Sequence, residues 1–276
     1  MNKLAPLAGT FIIVAFTSSA EAALTFFEVA KWQTFTQTSN AAPVAPLNYG
    51  FTARVFANTA GEVMHGTVKA PSTTVYNMNP GGSFVTQHSN FSFASEAALN
   101  AVYGSGTYEF TLTDGPHAGD TDSLTYGDPG WADAVPHLTG TNFADLQGAD
   151  VTQAITFNWN TFSSPGSFTS LQSYFYLIDV TAGGSVVFAN QGHPGSFSSK
   201  TFAANSLVAG HQYRYQIVFG SLDQSGTAGD FDPARPTAAT YVSTTGVFTT
   251  AVPEPGTIAA LGLGALAVLR RKRSSR

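Results

Sequence analysis

The sequence predicts an all-β protein: one or two β-sandwich domains, flanked by an N-terminal signal peptide and a short C-terminal transmembrane helix. Three observations point there. Only 11% of the 276 residues are charged, against roughly 25% in an ordinary soluble domain, while Phe alone numbers 22 and Gly 27. Aromatic and β-branched side chains suit a pleated surface, whereas helix faces laced with ion pairs need charge. Several segments also alternate apolar and polar residues with period two, the mark of a strand with one buried face. Helical periodicity is confined to one short stretch, and 43% hydrophobic content is enough for a substantial core.

In chain order, residues 49–57 and 63–69 read as strands. Residues 95–103 hold the helical hint, with Ser95 placed to cap and Gly104 to stop about two turns. In residues 108–113, Tyr108, Phe110 and Leu112 point one way and Glu109, Thr111 and Thr113 the other. Ile155, Phe157 and Trp159 likewise oppose Thr156, Asn158 and Asn160. Residues 173–180 are apolar on both faces, as a central strand would be, and turn at 181–184 into a strand over 185–189. Tyr213, Tyr215, Ile217 and Phe219 oppose Gln212, Arg214 and Gln216, and residues 241–249 close the series.

Gly, Pro and Asp concentrate over residues 114–139, which places a domain boundary near residue 128. The expected division is a signal peptide over 1–22, a sandwich-like domain with one short helix over 23–128, a second sandwich over 129–250, and a sorting and membrane segment over 251–276. Trp159 on an early strand, and Leu207 and Tyr213 before a late one, resemble a fibronectin type III or immunoglobulin-like module. Ala209 and His211 stand where that fold usually has Pro and Thr.

Both ends read as addresses. Lys3, the mostly apolar residues 4–16 and the small residues Ala20 and Ala22 form a secretory signal, cut by signal peptidase after Ala22. At the other end, Val252-Pro253-Glu254-Pro255 precedes an apolar stretch over 256–269 and then Arg270, Arg271, Lys272 and Arg273. As a helix, that stretch reaches roughly 21 Å against a hydrocarbon core of about 30 Å. The basic cluster holds its end in the cytoplasm, and long Arg side chains snorkel to the headgroups. The body then lies outside.

The order of these three parts resembles the PEP-CTERM sorting signal. The resemblance implies that an exosortase-type transpeptidase recognises Pro253, Glu254 and Pro255 and that the tail is then removed. It also implies an exported protein of a bacterium that makes extracellular polysaccharide, biofilm or floc matrix.

Composition narrows the chemistry of the body. Six of the 12 Lys and Arg but 15 of the 17 acids fall within residues 23–251, a formal charge of −9. Nucleic-acid binding, which needs cations to displace counterions from phosphates, is set aside. With no cysteine, disulfides, thiolate metal sites and cysteine nucleophiles are excluded. His65, His88, His117, His137, His193 and His211 show no metal-ligand spacing and read as solvated loop residues. Neither Gly-x-Ser-x-Gly nor a phosphate-binding glycine loop occurs.

Acids cluster at Asp114, Asp120 and Asp122 and again at Asp230 and Asp232, without the pattern of a calcium loop. No cofactor, metal or catalytic residue is therefore assigned. Trp32 and Trp131 are candidates for stacking on sugars, with Trp131 better suited to packing at the domain junction. The resulting expectation is a non-catalytic surface or matrix protein that contacts exopolysaccharide. A secreted polysaccharide or ester hydrolase is the alternative, and a calcium-dependent adhesin the third reading.

Overall fold

The computed structural model describes residues 23–252 apart from Pro165, Ser167, Thr169 and Gln191. Ala20, Ala22, the sorting residues Pro253, Glu254 and Pro255, the expected membrane helix, and Arg270, Arg271, Lys272 and Arg273 all lie outside the described residues. No helix among those described is long and apolar enough to cross a membrane.

The chain is mostly β, as expected. In order run β1 Leu24–Thr36, β2 Asn48–Ala57, β3 Gly66–Lys69, β4 Val75–Gly82, β5 Val85–Phe93, α1 Glu96–Val102, β6 Gly106–Leu112 and β7 Thr121–Tyr126. Then follow α2 Asn142–Leu146, β8 Ile155–Asn158, β9 Ser170–Asp179, β10 Ser185–Ala189, β11 His193–Pro194, β12 Ser199–Phe202, β13 Gln212–Asp223 and β14 Arg235–Thr249. Helix α1 starts where the sequence placed it: the Ser95 hydroxyl accepts from the Ala98 backbone N–H at 3.2 Å.

The large sheet has the order β10-β9-β13-β14-β1-β2-β5-β4-β3-β6-β7, with β11 also paired to β9. At its centre β1 and β14 run parallel, Phe26 opposite Arg235 through Thr36 opposite Thr245. Every other named pair is antiparallel. Parallel neighbours need a crossover rather than a hairpin, and here the whole intervening chain supplies it.

Two cores lie on one side of this centre. In the first, Phe27 of β1 and Phe51 of β2 meet Phe110 of β6, Tyr126 of β7 and Leu99 of α1, all fully buried. The sheet therefore curls until its far strands cover β1 and β2. In the second, Phe175, Tyr215 and Phe248 of the large sheet pack on Phe157 and Phe202 of a small sheet made by β8 and β12. Trp159 lies flat on Phe175 at 5.1 Å between centroids. At the entry to β13, the Tyr213 hydroxyl accepts from the Val208 N–H at 2.8 Å, pinning the turn that leads into the strand.

Gln37, only 2% exposed, ties β1 to the second core. Its Oε1 accepts from the Leu138 N–H and the Tyr215 hydroxyl, both at 2.9 Å, while its Nε2 donates to the Leu138 carbonyl at 3.1 Å.

Six strands were not foreseen, β1, β4, β5, β7, β11 and β12, the first four for identifiable reasons and the last two because they are only two and four residues long. β1 is buried on both faces over much of its length and so shows no clean alternation. β4 and β5 are rich in Asn, Ser and Gly, β4 mostly exposed and β5 mostly half-buried, so neither shows a clear apolar face. β7 falls inside the stretch read as loop, its outward positions Thr121, Ser123 and Thr125 masking the inward Leu124 and Tyr126. β14 begins at Arg235, six positions before the expected start, and β3 at Gly66 rather than Val63.

Candidate functional site

The face of the central strands turned away from both cores holds a small third cluster of Ala30, Val218, Leu222, Ala239 and Tyr241. It carries a cavity of about 530 Å³. That volume falls within the range of small-molecule sites, roughly 300–1,000 Å³.

Its walls follow from strand alternation. On β9, Phe175 and Leu177 go to the second core, which leaves Tyr174 and Tyr176 on the cavity face. Their rings are nearly parallel, 8° apart, with centroids separated by 6.5 Å. On β1, Phe27 and Val29 go to the first core, which leaves Glu28 and Trp32 on the cavity side. Tyr241 of β14 stacks on Trp32 at 4.3 Å, and the Trp32 indole N–H donates to Thr52 Oγ1 at 3.0 Å. Gly220 permits this arrangement, because a Cβ there would stand 2.7 Å from the Tyr241 ring.

Glu28 and Arg54 are cross-strand partners on β1 and β2. The Arg54 guanidinium donates through Nη2 to Glu28 Oε2, and the Glu28 side chain is 1% exposed. The guanidinium also lies 5.4 Å from the Phe56 ring and 6.0 Å from Trp32. Burial alone would lower the Arg54 pKa, but the adjacent Glu28 carboxylate raises it, so the cation persists. Glu28 Oε1 and Arg54 Nε, both buried, have no hydrogen-bond partner among the described residues. Burial pushes the Tyr174 hydroxyl up to about 12 and raises Tyr176 and Tyr241 as well, so all three phenols are neutral in physiological conditions. The cavity thus sets aromatic walls beside a buried ion pair, with the amides of Gln172 and Gln224 and the Arg235 side chain also in its lining.

Of the two sugar-stacking candidates, Trp32 lines this cavity. Trp131 packs on the first core beside Tyr49, 5.9 Å away. Glu28, Arg54, Tyr174, Tyr176 and Tyr241 were not singled out from sequence. The available signal was Glu28 and Arg54 themselves, charged residues within otherwise apolar strands.

The histidines are more engaged than expected. His65 pairs with Asp114, His117 with Asp120 and His211 with Asp179. His88 is a strand residue rather than a loop one; it stacks on Tyr76 at 4.7 Å and meets the Tyr103 hydroxyl at 2.8 Å, and burial lowers its pKa. The two acidic clusters come together: Asp122 accepts from the Gly229 N–H at 2.7 Å and Asp230 from the Thr121 N–H at 3.1 Å. These carboxylates cap backbone. Among the described residues no three His, Asp or Glu converge to hold a metal.

Outside the cavity, the ammonium of Lys31 is buried, donating to Asn100 Oδ1 at 2.6 Å and Asp128 Oδ2 at 2.9 Å. Burial lowers its pKa, against the opposing pull of Asp128.

Residues 251–273 match the family model of the PEP-CTERM protein-sorting motif. The chain therefore carries that motif, which implies an exported protein processed by an exosortase. No curated protein matches the chain. Among solved structures it is similar to a bacterial ice-binding adhesin at 16% identity and a TM-score of 0.22, covering 83% of this chain and 65% of the adhesin chain. A biofilm-associated protein BSP domain aligns at 14% identity and 0.20, covering 84% of this chain and 30% of the other. The FN1–FN3 domains of chicken CNTN1 align at 6% identity and 0.21, covering 84% and 66%. Scores this low fix no common arrangement of strands.

Proposed function

We propose that the protein is a component of the bacterial surface or extracellular matrix whose β-rich body binds exopolysaccharide without transforming it. Signal peptidase cuts after Ala22. The apolar segment over 256–269 then holds the chain in the inner membrane, with Arg270, Arg271, Lys272 and Arg273 on the cytoplasmic side, until an exosortase acts at Pro253, Glu254 and Pro255.

The observation that carries the binding role is the aromatic cavity with its buried Glu28–Arg54 pair, in a protein exported to where polysaccharide is the abundant polymer. A sugar ring presents flat C–H faces and a hydroxyl rim, which call for aromatic walls and paired donors and acceptors. Glycoside hydrolysis uses two facing carboxylates, and among the described residues Glu28 is the one acid lining this cavity, already engaged by Arg54.

The test has two arms. In the source bacterium, a Pro253→Ala, Glu254→Ala variant should stay in the membrane fraction, whereas the parent protein appears outside the cell. The mature protein should co-sediment with matrix polysaccharide extracted from the same cells. Equal release of parent and variant would refute the sorting arm; a mature protein left wholly in the supernatant would refute the binding arm.

A further inference from the structure

We infer that the cavity between β9 and β2 is a subsite for a neutral pyranose unit, with two neighbouring hydroxyls held by Glu28 and Arg54 and the ring lying against the aromatic wall of Tyr174, Tyr176 and Trp32. This rests on the polysaccharide-binding reading above and assigns it to one place.

The argument starts from the ion pair. A buried ion pair is a poor way to gain stability, because desolvating both groups offsets much of their attraction. Here the pair is also incompletely satisfied, with Glu28 Oε1 buried without a donor and Arg54 Nε without an acceptor. Buried polar groups are ordinarily hydrogen-bonded, and these two belong to adjacent partners in one cavity wall. Both atoms are buried, so the Arg54 side chain, itself 23% exposed, must shift to present them; neighbouring hydroxyls on a sugar then match them, one donating to Oε1 while the next accepts from Nε. A purely apolar ligand would leave both groups unpaired, at a cost.

Charge argues for a neutral unit. Glu28 and Arg54 cancel, and Arg235, the other charged lining residue, is exposed to solvent, where its charge is screened, in a body of net charge −9. On the aromatic side, the Tyr174 hydroxyl donates to Gln172 Oε1. No hydrogen bond of the Tyr176 hydroxyl is found among the described residues, so the ring stands on the cavity face for its shape alone. Gln172 and Gln224 bring amides to the same cavity; Gln172 Oε1 already accepts from Tyr174 and Gln224 Nε2 donates to Thr237 Oγ1, which leaves Gln172 Nε2 and Gln224 Oε1 for the remaining hydroxyls.

The experiment is calorimetric titration of the mature protein with soluble cello-, manno- and galacto-oligosaccharides and with oligouronates. Two variants accompany the parent: Tyr176→Ala, which removes an aromatic wall, and Glu28→Gln, which keeps the shape of the acid. Near-UV circular dichroism checks that each remains folded. The expected result is binding of at least one neutral series, weakened roughly tenfold or more by Tyr176→Ala in folded protein, the order of one aromatic contact. Glu28→Gln should weaken it further.

If parent and folded Tyr176→Ala bind a neutral series alike, the cavity assignment falls while the polysaccharide reading survives at another surface. Binding confined to oligouronates and abolished by Arg235→Gln overturns the neutral hydroxyl pair. A parent that binds none of these oligosaccharides overturns the subsite; co-sedimentation with matrix polysaccharide then decides separately whether the broader reading stands.

Discussion

Asp179 shows how one side chain sets a turn and gives the fold a pH dependence. It ends β9 at 5% exposure, accepts from the Ala182 N–H at 2.9 Å within the turn to β10, and pairs with His211 Nδ1 at 2.8 Å before β13. Burial works to raise its pKa, yet the hydrogen bonds from His211 and Ala182 outweigh burial and hold it below the ordinary carboxylate value. A carboxylate whose folded pKa is depressed contributes its full stabilisation above the unfolded value, about 3.9, and loses it as pH falls through the folded value. Asp179→Asn should therefore cost about 1 kcal/mol at neutral pH and less as the pH approaches 3. Urea melts of both proteins from neutral pH downward check this. Stability curves that stay parallel to the lowest pH would show that the charge of Asp179 plays no part.

At the scale of elements, the central strands are specified by what each face can tolerate. Gly246 on β14 sits opposite Tyr215 on β13, and a Cβ there would come within 2.2 Å of the Tyr215 hydroxyl and 2.4 Å of its ring. The ring lies across bare backbone and delivers its hydroxyl to Gln37. Gly246→Ala should push Tyr215 aside and cost about 2–3 kcal/mol, the sum of overpacking and a lost buried hydrogen bond. Thr249→Ala on the same strand, at an exposed position, should stay within about 0.5 kcal/mol of the parent. Denaturant midpoints with unchanged slope are the measurement, and equal midpoints for the two variants would contradict this account of the β13–β14 pair. The same strands show what periodicity can reveal. β6, β8 and β13 have one core face and one polar face, so alternation exposed them in the sequence; β1, packed on both faces, and β4 and β5, with no clear apolar face, gave no such signal. The cavity was hidden for a related reason. Its walls come from β1, β2, β9, β13 and β14, and only the non-local order of the sheet sets Tyr174 and Tyr241 beside Trp32.

For the molecule as a whole, we retain a division near residue 128 as a proposal about cores, one drawn mainly from each side of that point, with the two coupled in unfolding. The coupling has four physical sources. β1 from the first half pairs along its length with β14 from the second. Phe231, Ala234 and Ala238 belong to the first core although they come late in the chain. Gln37 reaches the other way, satisfying Leu138 and Tyr215 in the second core. Asp122 and Asp230 exchange backbone caps across the same join. Opening either core alone would strip a partner from β1 or β14 and leave buried backbone groups unpaired, which is more costly than opening a surface hairpin. Chains of this length commonly unfold in more than one step, so a single transition would be informative. Scanning calorimetry of the mature protein should give one endotherm whose van't Hoff and calorimetric enthalpies agree. Two resolved endotherms, or a proteolytic fragment ending near residue 128 that keeps its own melting transition, would mean that each core is a domain in its own right and that the β1–β14 seam is only a contact between them.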